Sequence, residues 1–144
     1  MIRFTATTTI RRPVEDVFAF MTMVQNAPRW APWIVEAQQT SQGPLGTGTT
    51  YRQVIELLGQ RGELAFEVTQ YEPNKVFGAR STSGPLQASV LNAFEAVAQG
   101  TRITLTTEGE MMGFYKMVEP LIAELLERQA EEALANLKAV LEAA

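Results

Sequence analysis

The chain has 144 residues, of which 46% are hydrophobic and 19% are charged, and its formal net charge is −4. This composition is typical of one globular domain and argues against disorder, a membrane span and a nucleic-acid partner. The chain has no Cys and no His, which excludes disulfides, thiol nucleophiles, imidazole bases and His-ligated metals.

The N-terminal part of the chain predicts one strand followed by two short helices. In residues 2–10 (IRFTATTTI), a set that holds all the apolar side chains alternates with a set of Arg and Thr side chains. This period of two is typical of a β-strand. Apolar residues at helical spacing then predict a helix over 14–23. Pro28 lies near the start of a second short helix that we expect around 27–30, because proline is tolerated in a first helical turn.

Six further strands joined by tight turns are predicted in the middle of the chain. Consecutive strands with hairpin turns form an antiparallel sheet. Gly43, Gly46 and Gly48 precede a strand and not a helix, so we interpret them as turn residues and not as a phosphate-binding loop. The predicted strands span residues 34–40, 51–58, 63–71, 76–82, 86–97 and 101–108, with residues 59–62 as one of the hairpin connections.

The last segment predicts a long helix over 113–142, which Pro120 is expected to kink or restart. Its apolar face is broad, which disfavours a strict coiled coil, and its glutamates are interpreted as a solvated face and not as a calcium site. A twisted sheet needs a cover for one face, and this helix offers a matching apolar surface. We therefore expect the sheet to curl around the helix and to leave a cavity between them.

Several short segments occur along the chain in a characteristic order and spacing. They are the first strand ending at Ile10 and the segments 13–18 (PVEDVF), 26–34 (NAPRWAPWI), 43–49 (GPLGTGT), 71–73 (YEP) and 100–104 (GTRIT). Through these segments the sequence resembles the START-like helix-grip superfamily (SRPBCC), with its polyketide cyclase/dehydrase and lipid transport family, over essentially the whole chain. The resemblance implies an α+β helix-grip fold, in which a seven-stranded curved antiparallel sheet wraps around a long C-terminal helix and two short helices follow strand 1. We expect one such domain over residues 1–144.

The resemblance and the expected cavity predict binding or transport of a small hydrophobic ligand, namely a lipid, an isoprenoid, a polyketide or an aromatic metabolite. No catalytic residue, cofactor or metal is predicted. We expect a cytoplasmic monomer or homodimer with no nucleic-acid partner and no stable membrane insertion. The predicted ligand-binding residues are Trp30, Phe66, Asn92, Phe94, Leu105, Phe114, Tyr115, Met117, Leu121, Leu125 and Gln129.

Several of these residues have a second interpretation. Trp30 either stacks on a ligand or packs the short helices onto the sheet. Asn92 and Gln129 lie on apolar faces, where a buried amide needs a partner from the ligand or from the protein itself. The Met-rich segment 111–117 either gates the cavity or packs in the core.

Two other classes of function are weighed against ligand binding. The first is a polyketide cyclase/dehydratase-like enzyme without His, which would rely on polar groups such as Tyr115, Asn92 or Arg80. An inward Arg80 would also favour an anionic ligand. The second is a protein-interaction module or homodimer that uses an apolar groove along the long helix.

Overall fold

A computed structural model describes residues 1–143 of the chain. Seven strands, two α-helices and two 3₁₀ helices follow one another along the chain, with strands and helices in the order that the sequence predicts. The elements are β1 (Ile2–Ile10), α1 (Val14–Thr22), the 3₁₀ helix η1 (Val24–Arg29), β2 (Ile34–Gln39), β3 (Thr50–Leu57), β4 (Gln60–Glu72), β5 (Val76–Ser83), β6 (Leu86–Val97), β7 (Gly100–Met111), the 3₁₀ helix η2 (Gly113–Val118) and α2 (Glu119–Ala143).

All seven strands belong to one antiparallel sheet with the order β1-β7-β6-β5-β4-β3-β2. Strands β2 to β6 are each paired with the next strand along the chain. Strand β1 closes the order at the other edge, where Ile2 lies opposite Gly109 and Ile10 lies opposite Thr101. The sheet curls into a half-barrel and α2 occupies its concave side, which confirms the predicted helix-grip fold.

The two faces of the sheet differ in polarity. The concave face carries buried apolar side chains such as Phe66 and Phe94, as expected for strands with a period of two. The convex face carries ion pairs: Arg80 Nη2 lies 3.0 Å from Glu67 Oε1, and Arg102 lies across from Glu95. Arg80 is thus an outer-face residue, and the interpretation of it as an inward partner for an anionic ligand is wrong.

The C-terminal segment is two helices and not one. The 3₁₀ helix η2 ends at Val118, and α2 begins at Glu119 with Pro120 as its second residue. Proline fits there because the first helical N–H groups have no acceptor within the helix. The predicted restart at Pro120 is confirmed, and residues 113–118 before it form a 3₁₀ helix and not a part of the α-helix. The buried face of α2 consists of Glu119, Ile122, Leu126, Ala130, Ala133, Leu134, Leu137 and Leu141.

Polar contacts fix α2 to the sheet at both of its ends. Glu119 Oε2 accepts a hydrogen bond from Met111 N at 3.0 Å, and Glu119 Oε1 pairs with the amino group of Met1. Near the C-terminal end, Lys138 Nζ donates to the carbonyl oxygen of Thr9 at 2.7 Å. These contacts set the position of α2 across the concave face, and therefore the space that remains beneath it.

One predicted turn is wrong. Residues 59–62 are not a four-residue connection, because Gln60 and Arg61 are already paired with Leu57 and Glu56. The turn consists of Leu58 and Gly59, whose φ angles of 53° and 76° are those of a tight two-residue hairpin. Elsewhere the predicted strand boundaries differ from the observed ones by a few residues. Within residues 1–143, no helix combines the length and the hydropathy that a membrane crossing requires.

Candidate functional site

A cavity of about 110 Å³ lies between the concave face of the sheet, η1 and α2. Strands β3 to β7 supply most of its wall, because their alternate side chains point towards α2. The helix itself contributes Leu126, and η1 with its flanking residues contributes Val24, Ala27 and Trp30. The cavity is therefore a space that the curled sheet and the helix do not fill between them.

Aromatic rings form one wall of the cavity. The rings of Tyr51 and Phe66 are stacked, with centroids 5.1 Å apart and planes inclined by 10°. They are direct cross-strand partners on β3 and β4, which brings their side chains together on the same face. Phe4 and Phe77 line other parts of the cavity. A wall of this kind favours a flat apolar molecule.

The polar groups that line the cavity are neutral. They belong to Trp30, Trp33, Tyr51, Gln53, Asn92 and Thr107, and among the described residues no Asp, Glu, Lys or Arg lines the cavity. Within residues 1–143, no group of three or more acidic side chains is placed to hold a metal ion. The site thus offers hydrogen bonds in an apolar enclosure and no fixed charge.

Two of these polar side chains carry a buried atom without a hydrogen-bond partner in residues 1–143, namely Trp30 Nε1 and Asn92 Oδ1. Each of the two residues makes another hydrogen bond. Asn92 Nδ2 donates to the carbonyl oxygen of Phe77 at 3.3 Å, and the main-chain carbonyl oxygen of Trp30 accepts from Asn136 Nδ2 at 3.1 Å. The residues of the cavity wall therefore include one unpaired donor and one unpaired acceptor.

Tyr51 is the only ionisable side chain that lines the cavity in the described part of the chain. Burial raises the pKa of Tyr51 well above its ordinary value, because the charged phenolate would lose its hydration. The hydroxyl group of Tyr51 therefore remains protonated at neutral pH. It can donate or accept a hydrogen bond, but it is unsuited to act as a general base.

The raised pKa of Tyr51 predicts a loss of stability in alkali. Its folded-state pKa exceeds the unfolded value of about 10, so the unfolded chain releases this proton first as the pH rises. The free energy of unfolding should then fall above about pH 10, and less steeply in Tyr51→Phe. Urea unfolding of both proteins at several pH values from 8 to 11 measures this slope. Equal slopes in the two proteins would contradict the prediction.

Four of the predicted ligand-binding residues line the cavity: Trp30, Phe66, Asn92 and Leu105. Phe94 is buried near α1, where its ring meets the edge of Phe18 at a centroid distance of 5.0 Å. The predicted residues of α2 do not line the cavity. Leu125 and Gln129 are half-buried and Leu121 is exposed, whereas Leu126 faces the cavity.

The remaining predicted residues lie in or beside η2, outside the cavity wall. Phe114 is 71% exposed and Met117 is 82% exposed, while Tyr115 is half-buried. We give the name apolar rim to the exposed apolar side chains of this region, which are Met112, Phe114, Met117 and Leu121. The apolar rim lies at one end of the cavity, because Met112 N donates to the carbonyl oxygen of Pro85 at 2.7 Å and the residue after Pro85, Leu86, lines the cavity.

Tyr51, Gln53 and Thr107 are lining residues that the sequence prediction missed. A signal for them was present in the sequence. Tyr51 and Gln53 alternate in phase with the apolar Ile55 on β3, and Thr107 alternates in phase with Leu105 on β7. Period-two alternation therefore identifies polar as well as apolar cavity residues, once the inward face of a strand is known.

A second depression, of about 420 Å³, opens to solvent at the ends of β5, β6 and β7. It is larger than the cavity but less suited to an apolar ligand, because exposed polar side chains such as Gln87, Ser83 and Glu110 line it. Its cation Arg80 is already paired with Glu67. The cavity under α2 is therefore the candidate site.

Comparison with known proteins gives one family and many similar structures. The family described as polyketide cyclase / dehydrase and lipid transport matches residues 1–142. No curated protein matches the chain. Among solved structures, the protein TTHA0849 from Thermus thermophilus is 20% identical, with a TM-score of 0.83 and 99% of both chains covered.

Two further structures have printed descriptions that bear on the fold. The Zhui aromatase/cyclase from Streptomyces sp. R1128 is 14% identical, with a TM-score of 0.75 over 94% of this chain and 90% of that chain. A START superfamily protein from Mycobacterium smegmatis is 17% identical, with a TM-score of 0.73 over 98% and 94%. At these identities the similarity establishes a shared fold and leaves the ligand open.

Proposed function

We propose that this chain, which belongs to the polyketide cyclase/dehydrase and lipid transport family, binds a small, neutral, apolar ligand in the cavity under α2. The observation that carries the proposal is a cavity with an apolar and aromatic wall and a few neutral polar groups. Enclosed sites of this composition are the usual binding sites for small organic molecules. Trp30, Phe66, Asn92 and Leu105 are the proposed ligand contacts that the sequence also predicts.

The volume of the cavity limits the size of this ligand. At about 110 Å³ it is near the volume of a cavity that holds a single benzene ring, about 150 Å³. Sites for drug-sized ligands span about 300–1,000 Å³. This volume suits a molecule of no more than about one ring, whereas a polycyclic polyketide or a whole lipid requires α2 or the apolar rim to move outwards.

The lining residues favour binding over catalysis. A cyclase or dehydratase needs a group that exchanges protons near neutral pH. The carboxylates Glu67 and Glu95 lie on the convex face in ion pairs, and Tyr51 remains protonated because of burial. The cavity can orient a ligand by hydrogen bonds and enclose it, which is what a carrier or a receptor requires. The apolar rim is the proposed entrance.

Titration with toluene, followed by the NMR signals of the methyl groups, tests the proposal. We expect shifts at Val90 and Leu105, which line the cavity, and an increase in stability because toluene binds only the folded chain. At 100 times its dissociation constant, a ligand adds about 2.7 kcal/mol to the free energy of unfolding. Leu58, in the exposed β3–β4 turn, serves as the internal control, and its methyl signals should not move.

Two results would count against the proposal. If toluene moves only the methyl signals of exposed residues such as Leu58 and Leu121, it binds the surface and not the cavity. If neither the spectra nor the thermal unfolding midpoint changes up to the solubility limit of toluene, the cavity does not bind apolar molecules of this size.

A further inference from the structure

Three buried side-chain atoms lack a hydrogen-bond partner in residues 1–143: Trp30 Nε1, Asn92 Oδ1 and Gln129 Oε1. Buried polar groups in folded proteins nearly always have partners, because an unpaired group loses its hydration without compensation. Two of the three atoms belong to residues of the cavity wall, Trp30 and Asn92. Since both side chains line the cavity, a molecule bound there is the partner that the proposed function supplies for the two atoms.

The chemistry of the two atoms defines what that molecule must offer. The indole Nε1 of Trp30 can only donate a hydrogen bond. The orientation of the Asn92 amide follows from its other contact, because the carbonyl oxygen of Phe77 can only accept and must therefore face Nδ2. Asn92 thus presents its oxygen as an acceptor. The missing partner has to include both an acceptor and a donor.

From these atoms we infer that the ligand is a neutral molecule of about one ring that carries a hydroxyl group, such as a phenol or a cyclic alcohol. This inference rests on the proposed binding function. A hydroxyl is the smallest group that both donates and accepts, which suits a cavity of about 110 Å³. The ring suits the stacked wall of Tyr51 and Phe66, and the lack of charge among the described lining residues suits a neutral ligand.

Ordered water is the competing partner for the two atoms, since buried waters commonly satisfy such groups. The two cases differ in how the cavity ranks ligands. A cavity whose polar atoms keep their water binds toluene better than phenol, because burying an unpaired hydroxyl is unfavourable. A cavity that receives a hydroxyl reverses this order.

Phenol and toluene form a matched pair for the test, since they differ only in a hydroxyl and a methyl group on the same ring. We expect the unmodified protein at pH 7 to bind phenol at least about tenfold more tightly than toluene, measured by calorimetry and by the methyl shifts of Val90 and Leu105. Equal affinities, or tighter binding of toluene, would overturn the hydroxyl inference and leave the proposed function intact. Binding of neither compound would overturn the proposed function itself.

Variants assign the preference to residues. Asn92→Leu and Trp30→Phe each remove one unpaired atom, so each should lower the affinity for phenol more than the affinity for toluene. Gln129→Leu is the control, because it removes the third unpaired atom, which lies outside the cavity wall, and should leave the preference unchanged. A preference that persists in both cavity variants would overturn the assignment. Circular dichroism establishes that each variant folds, and the ligand comparison in the unmodified protein does not depend on the variants.

Discussion

Ile122→Ala is expected to lower the free energy of unfolding by about 2–5 kcal/mol. Ile122 is fully buried on α2, among the side chains that join this helix to the sheet. Its truncation removes apolar contacts and leaves a void that the sheet cannot close, because polar contacts hold α2 at both ends. Urea unfolding followed by circular dichroism measures the loss.

Leu121→Ala is the matched control for this variant. Leu121 is the adjacent residue of the same helix, but it is 61% exposed and belongs to the apolar rim. The substitution should change the free energy of unfolding by no more than about 0.5 kcal/mol, as is usual at exposed positions. Equal losses in the two variants would mean that α2 packs on the sheet through a different face from the one described.

Much of the fold follows from the periodicity of the sequence. Alternation on β6 predicts an inward Asn92 beside Phe94, and the structure places both side chains on the concave face. The same rule predicts Glu67 and Glu95 on the outer face, where each pairs with an arginine from the adjacent strand. Period two is informative here because a strand has two faces and only the concave one is covered by the helix.

The helix residues of the site could not be predicted in the same way. A helical apolar face spans a wide angle, and the sequence does not say which part of it meets the sheet. Leu121, Leu125 and Gln129 lie on the predicted face, yet Leu126 is the α2 residue that reaches the cavity. The side chain that does so depends on the rotation of α2, which long-range contacts such as those of Glu119 determine.

The position of the cavity also depends on contacts that are distant in the sequence. Trp30 lines the cavity, and its main-chain carbonyl oxygen accepts a hydrogen bond from Asn136, 106 residues later. Tyr51 stacks on Phe66 because the β3–β4 hairpin turns at Leu58 and Gly59, which fixes the register of the two strands. A turn at residues 59–62, as the sequence pattern predicts, gives the two strands a different register, so this pair could not be predicted.

Val90→Phe is expected to abolish ligand binding by filling the cavity. Val90 lies on β6 between Ala88 and Asn92, and all three residues line the cavity. A phenyl ring from this position would occupy the space that we assign to the ring of the ligand. We expect the affinity for toluene to fall at least about tenfold, because even one methylene of volume in an apolar pocket is worth about ten- to two-hundredfold and a phenyl ring adds more.

Leu91→Phe tests whether this effect depends on the inward direction of the side chain. Leu91 follows Val90 on β6 and therefore points to the convex face, where it lies near Gly78. The Leu91→Phe substitution should leave the affinity for toluene unchanged. Val90→Phe, in contrast, should also lower the free energy of unfolding by about 1–3 kcal/mol if the ring overpacks the cavity. Loss of binding in both variants would point to a general disturbance of β6, and retained binding in Val90→Phe would place the ligand outside this cavity. Loss in Val90→Phe alone locates the ligand under α2, where the unpaired atoms of Trp30 and Asn92 can reach it.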